Sequence, residues 1–227
     1  MIKVILWDVD GTLLDFLAAE RKALRSCFEY FGIGKATDEM IGRYSLINKK
    51  YWKMLEAGEI DKPGVLRGRF EEFFKSEGIS FNDFDALNGE YQIRLGDTIR
   101  FFDDSYDIVK NLKGKVKQYA VTNGTVRAQT KKLKKSGLGE LLDGVFISDE
   151  IGYEKPTNEF FNFVFNKIGK YEKDEILIIG DSLTSDIQGG NNSGILCCWY
   201  NRNHEQAPDG MRIDYNIDNL NKIYGII

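Results

Sequence analysis

Histidine is all but absent from this chain of 227 residues, which carries one, His204, in a polar stretch. A lone imidazole in such a setting reads as a surface residue, which sets aside histidine-based nucleophilic triads and multi-histidine metal centres. Cysteine is scarce too. Cys27, Cys197 and Cys198 make an odd count without metal-ligand spacing, so they read as small core residues in a reducing compartment, and a cytoplasmic location is the default expectation. Long apolar runs are missing: nothing approaches the ~20 residues that cross a bilayer, so no membrane partner is expected. Asp8 and Asp10 interrupt the first apolar segment before it can take a signal peptide's layout. A positive excess is missing as well. Against 35 Asp and Glu stand 31 Lys and Arg, a net charge of −4, which argues against a nucleic-acid polymer as partner.

What is there is the material of a globular protein, with 42% hydrophobic and 29% charged residues. A chain of this length can bury roughly 70–75% of its unfolded surface and needs no disulfide or structural metal to fold. The most informative stretch is the start, Lys3-Val4-Ile5-Leu6-Trp7-Asp8-Val9-Asp10-Gly11-Thr12. An apolar run that reads as a buried strand delivers two aspartates into a Gly-Thr turn. Residues i and i+2 of a strand share a side, so strand geometry persisting to Asp10 would bring both carboxylates to one site. Two anions that close call for a cation, a shared proton or a catalytic division of labour.

From about Leu17 to about Ile99 the apolar period is helical. Met40, Ile41, Tyr44, Ile47, Tyr51, Trp52 and Leu55 mark one amphipathic helix, opened by Thr37/Asp38 and closed near Gly58. Similar patterns end at Gly32 and Gly78 and run through Phe84–Leu95, so four helices form a small bundle. After about Phe102, short Val/Ile-rich runs at 116–122, 145–148, 176–180 and 195–200 alternate with helical stretches ending at Gly137, Gly169 and Gly194. That alternation predicts βαβ units and an α/β fold, a doubly wound, Rossmann-like parallel sheet that must include the opening strand. The expected plan is a core of residues 1–15 and 101–227 with an inserted helical-bundle cap, 16–100.

Polar residues gather where these strands end: Thr122-Asn123-Gly124, Lys155-Pro156, and Gly180-Asp181 through Asp186. Together they put a hydroxyl, a cation and two more carboxylates on the edge that carries Asp8 and Asp10, where open α/β sheets bind ligands. These segments, in this order, resemble the four signature motifs of the haloacid dehalogenase-like hydrolase superfamily, over nearly the whole chain. The resemblance implies a phosphomonoesterase in which Asp8 is the nucleophile that becomes an aspartyl-phosphate, and Asp10 first protonates the leaving alkoxide and then activates water. It makes Thr122 and the backbone of Asn123 the holders of the phosphoryl oxygens. Lys155 neutralises nucleophile and phosphate, worth about 4 kcal/mol at ~4 Å and an effective dielectric of ~20. It implies Mg²⁺ on the carboxylates of Asp8 and Asp181 and the backbone carbonyl of Asp10, an all-oxygen set. Asp186 would steer Lys155 or metal-bound water from outside that set. Trp7 stands where the family often has Phe.

Halide departure needs no proton, so Asp10 argues against dehalogenation. Segments such as Glu56-Ala57-Gly58-Glu59-Ile60 and Cys198-Trp199-Tyr200-Asn201 resemble the house-cleaning 5′-nucleotidase branch, which implies a nucleoside 5′-monophosphate as the small-molecule partner. Phosphoglycolate and sugar-phosphate phosphatases and phosphohexomutases, which keep both aspartates, stay open. So does a phosphorylation-controlled switch of receiver type, although such domains are far shorter and lack a helical insertion. Phe16, Tyr44, Asn48, Trp52 and Arg69 are candidate substrate contacts of the cap. Oligomeric state stays open.

Overall fold

Val4–Trp7 becomes a strand because four consecutive apolar side chains find cover on both sides, and all four are buried. A computed structural model describes residues 1–227. It divides into two units, one of Met1–Asp15 with Ile99–Ile227 and one of Phe16–Thr98.

The first unit is built on a six-stranded sheet. Its strands are β1 (Val4–Trp7), β2 (Lys117–Thr122), β3 (Gly144–Ile147), β4 (Ile176–Gly180), β5 (Leu196–Tyr200) and β6 (Tyr215–Ile217), in the order β3-β2-β1-β4-β5-β6. Every pairing is parallel. The chain adds strands on one side of β1 and then on the other, so β1 stands at the topological switch point. Register brings Trp7 level with Ala120 on β2 and Ile179 on β4, which aligns the carboxyl ends of these strands.

The second unit holds α1 (Phe16–Tyr30), α2 (Asp38–Glu56), α3 (Lys62–Glu77) and α4 (Phe84–Leu95). Thr37, Asp61 and Asp83 each accept a backbone N–H from the first turn of α2, α3 and α4 respectively, the capping that these residue types supply. Its interior is aromatic: Tyr44 stacks on Phe70 at 5.2 Å and meets Tyr91 edge-on at 5.8 Å.

Returning to the first unit, α5 (Ser105–Leu112), α6 (Val126–Ser136), the single turns α7 (Leu138–Leu141) and α8 (Ser148–Ile151), α9 (Asn158–Ile168) and α10 (Gln188–Ser193) complete the layers. The period of two sorts the strands. Ile5, Trp7, Ala120, Ile179 and Cys198 enter one core with α5, whereas Val4, Leu6, Val121, Ile178 and Cys197 enter another with α9. The doubly wound plan expected from the alternation is therefore present, and the adjacent cysteines face opposite layers. A helix at Ser105–Leu112 adds to the expected elements; its eight residues are too few for a periodic signal to stand out. No helix is long and apolar enough to cross a membrane.

Trp7 does more than fill volume. Its indole Nε1 donates to Gln118 Oε1 at 3.1 Å, and Gln118 Nε2 donates to Val109 O at 2.9 Å, all within the core. Trp7→Phe removes that donor and leaves a buried acceptor bare, a loss of about 1–3 kcal/mol. The expected result is a lower urea midpoint with unchanged slope; an unchanged midpoint would contradict this role.

Candidate active site

Strand geometry stops at Trp7, and the chain then folds into a turn closed on itself. Asp8 N still donates to Ile179 O on β4 at 2.9 Å, then Leu13 N and Leu14 N both return to Val9 O. Gly11 has φ of +99°, and a methyl group there would lie 2.6 Å from an oxygen of Asp181. The turn thus needs glycine both for its backbone and for the carboxylate beside it. Thr12, fully buried, closes the arrangement: its hydroxyl accepts from Asp181 N at 3.1 Å and donates to Asp181 Oδ1 at 3.4 Å. On the far side, Trp199 Nε1 donates to Asp181 O at 3.0 Å.

Lys155 is the hub. It is 1% exposed, and its Nζ donates to Asp8 Oδ1 at 2.8 Å, Asp186 Oδ1 at 2.6 Å and Val121 O at 2.8 Å. An ammonium has three donors, and all are spent here. Asn123 places it, because Asn123 Nδ2 donates to Lys155 O and Asn123 Oδ1 accepts from Lys155 N, both at 2.8 Å. Asp186 reaches back because Leu183–Ile187 forms a wide π-helical turn after Ser182, in which Ile187 N bonds Ser182 O. Asp186 Oδ2 also accepts from Ser182 N at 3.1 Å. Thr122 is buried, its hydroxyl accepting from Gly124 N at 3.1 Å.

The charges do not balance. Asp8, Asp181 and Asp186 each bring a carboxylate oxygen within 4.8 Å of the others, against one ammonium. Asp8 Oδ2 is buried without a hydrogen-bond partner. Burial pushes the Asp8 carboxyl up to about 7, Asp186 adding to the rise and Lys155 opposing it. Asp181 is more open to solvent, yet desolvation by the crowded groups around its carboxyl, with Asp8 and Asp186 nearby, raises it well above the carboxylate range. Burial alone would pull the Lys155 ammonium down, but Asp186 and Asp8 outweigh it and hold it above its ordinary value. A bare buried oxygen among three carboxylates is a donor set that fits a hard divalent cation.

The structure thus brings together Asp8, Lys155, Asp181 and Asp186, with Asn123 clamped to Lys155. Asp10 takes other partners: its carboxylate accepts from Lys132 Nζ at 2.5 Å and Gln129 Nε2 at 2.6 Å, both on α6. In the helical unit, Tyr44, Asn48 and Arg69 are buried; Tyr44 packs among aromatic rings, and Asn48 and Arg69 share one hydrogen-bond network. Arg69 donates to Asn48 Oδ1 at 2.9 Å and Asn88 Oδ1 at 2.8 Å, and Asn48 donates to Glu20 at 2.7 Å. Phe16 and Trp52 are half-buried. Thr12 and Trp199 stand in the quoted segments without a role of their own, and Gln129 and Lys132 are not singled out by the sequence. Lys132 is masked by the run Lys131-Lys132-Leu133-Lys134-Lys135, which reads as a solvated face; the spacing of Gln129 and Lys132 on one helical side was the available signal.

A family model described as haloacid dehalogenase-like hydrolase matches residues 2–194. The chain is 36% identical over 225 residues to the HAD-hydrolase YfnB of Bacillus subtilis, covering 99% of this chain and 95% of that one. A crystal structure of YfnB bound to magnesium superposes with a TM-score of 0.93, covering 99% of this chain and 98% of that chain. The pyrimidine 5′-nucleotidase PynA of Streptococcus pneumoniae is 37% identical over 210 residues, 90% of this chain and 88% of that one. The pyrimidine 5′-nucleotidase YjjG of Escherichia coli is 26% identical over 219 residues, 96% of this chain and 95% of that one.

The raised carboxyls have a measurable consequence. On unfolding, Asp8 and Asp181 return to ordinary values of about 4. Between there and about 7, where Asp8 titrates in the fold, the folded protein binds more protons than the unfolded chain. Stability contributed by these groups therefore falls as pH rises through that window. The melting temperature of metal-stripped protein should drop across it more steeply than that of Asp181→Asn, and a divalent cation should restore it. A wild-type curve no steeper than the variant's would contradict the assignment.

Proposed function

The chain belongs to the haloacid dehalogenase-like hydrolase family and is a phosphoric monoester hydrolase, and from that premise we propose that it releases phosphate from a nucleoside 5′-monophosphate through an aspartyl-phosphate on Asp8. The observation that carries the mechanism is the state of Asp8: a buried carboxylate with one oxygen tied to Lys155 at 2.8 Å and the other without a partner. The ammonium aims one oxygen of the carboxylate for attack, and the second is left for a cation, so the nucleophile is oriented without being blocked.

Asp8 attacks phosphorus, the ester P–O bond breaks, and its electron pair goes to the leaving oxygen, which takes a proton from Asp10. In the second half, water gives its proton to Asp10 as its oxygen bonds phosphorus. The P–O bond to Asp8 then breaks and returns the electron pair to the carboxylate. Thr122 and the Asn123 backbone, at the end of β2, hold the phosphoryl oxygens. Lys155 meets the charge shared by nucleophile and phosphate, and Asp186, 2.6 Å from its Nζ, keeps it aimed. Asp8, Asp181 and the Asp10 carbonyl are the groups we assign to Mg²⁺; when bound, it supplies positive charge that offsets the acidic cluster and the phosphoryl oxygens.

The nucleotide reading rests on the likeness to two proteins named pyrimidine 5′-nucleotidases, at 37% and 26% identity. Within the helical unit, Phe16 and Trp52 offer ring faces for stacking on a base. Tyr44, Asn48 and Arg69 act there as the framework that fixes α2 and α3.

Asp8→Asn should lower turnover by roughly 10³-fold or more, the scale of losing a nucleophile, while leaving the circular-dichroism melt cooperative. Comparable turnover in that variant would refute the mechanism, and one phosphate stably retained per wild-type chain would favour a switch. A kcat/KM screen of pyrimidine nucleoside 5′-monophosphates against phosphoglycolate and hexose phosphates should rank the nucleotides first. A preference for phosphoglycolate would overturn the nucleotide reading and leave the phosphatase intact.

A further inference from the structure

Both oxygens of Asp10 are held, one by Lys132 at 2.5 Å and the other by Gln129 at 2.6 Å. Both donors are 1% exposed, whereas the neighbouring Lys134 and Lys135 on the same helix are exposed. Burying an ammonium and an amide is costly unless they are paired, so their burial needs a reason. Asp10 supplies the partner.

The surroundings are built to let this contact form. Helix α6 starts directly after the Thr122-Asn123-Gly124 turn, capped by Thr125, whose side chain accepts from Ala128 N. Gln129 lies across Gly124 so closely that a methyl group at Gly124 would collide with Gln129 Nε2. Gln129 Oε1 is buried without a partner, while Nε2 faces the carboxylate. The reverse orientation would set two acceptors against each other.

We propose that Lys132 and Gln129 are positioning residues for Asp10, fixing the plane of its carboxyl and receiving the negative charge that appears there as it gives its proton to the leaving oxygen. This rests on the phosphatase reading above, in which Asp10 is the proton donor. Two donors on two oxygens stop rotation about the Cβ–Cγ bond, and each oxygen keeps a second lone-pair direction for the leaving group or water. The ammonium and amide stand in place before the charge develops, so no reorganisation is required during transfer. An ion pair that merely fastened α6 to the β1 turn would have no such link to the leaving group.

The leaving group therefore separates the two roles. Departure of p-nitrophenolate needs little proton assistance, whereas departure of an alkoxide depends on it. Because kcat/KM covers steps only through the first irreversible one, the comparison is insensitive to later hydrolysis of the aspartyl-phosphate. We compare p-nitrophenyl phosphate with uridine 5′-monophosphate, or with phosphoglycolate if the wild type prefers it, since both are alkyl esters. Lys132→Met should raise the aryl-to-alkyl ratio of kcat/KM by roughly tenfold to a hundredfold. Lys132→Arg should hold it within about threefold of wild type, because the cation is retained. Gly124→Ala, which displaces Gln129, should shift the ratio in the same direction by less. If Lys132→Met fails to give a cooperative melt, the Gly124→Ala shift decides. Equal losses on aryl and alkyl esters, or no shift in either variant, would overturn the positioning role while leaving the phosphatase reading untouched. A wild type that hydrolyses neither ester would instead overturn the phosphatase reading, and this inference with it.

Discussion

The buried ammonium of Lys155 is the constraint around which the rest of the site is arranged. Its three donors reach Asp8 after β1, Val121 on β2 and Asp186 after β4, so one side chain ties together the carboxyl ends of three adjacent strands. The sheet order makes this geometry available, because β1 lies between β2 and β4. Asn123 contributes by gripping the Lys155 backbone rather than its charge. Removing a partner from such a hub leaves an uncompensated charge in a dry interior, which is why the residues around it behave as one object.

Around that hub, the two aspartates of the first turn are separated by their surroundings. Asp8 is pressed into the interior beside two further carboxylates, with an oxygen left bare. Asp10, two residues on, stays partly exposed and meets a second lysine, Lys132 on α6. One carboxylate is thus set against a phosphoryl group and the other is provided with donors of its own. The same pattern of buried charge balanced by a buried partner recurs in the helical unit, where Arg69 lies against the rings of Phe70 and Tyr91 and bonds Asn48 and Asn88.

Much of this was legible in the chain. The run Val4–Trp7 has no reading except a strand covered on both faces, and the polar clusters after Val121 and Ile179 mark where neighbouring strands end. Thr37 and the glycines at 78, 137 and 194 punctuate the helices by chemistry that acts locally. What stayed hidden depends on contacts across the sequence. Lys132 reads as one more surface lysine until α6 is laid beside Asp10, 122 residues away. Trp7 reads as apolar bulk until Gln118, 111 residues on, shows a need for its N–H. Tyr44 and Arg69 read as candidates for a ligand because aromatic and cationic residues serve ligands and cores alike, and only packing reveals that Tyr44 lies among the rings of Phe70 and Tyr91 while Arg69 bonds Asn48 and Asn88. The pairing of Asp8 with Asp10 assumes a strand that continues; the strand ends at Trp7, and the chain has turned before it reaches Asp10.

Gly11 and Gly124 carry no functional group, yet each occupies the space that an active side chain crosses: Asp181 above one, Gln129 above the other. A scan for reactive groups passes both positions by. A methyl group at Gly11 would leave every chemical participant in the sequence and still displace Asp181, while one at Gly124 would push aside the end of Gln129. Empty space is thus as much a part of this site as charge.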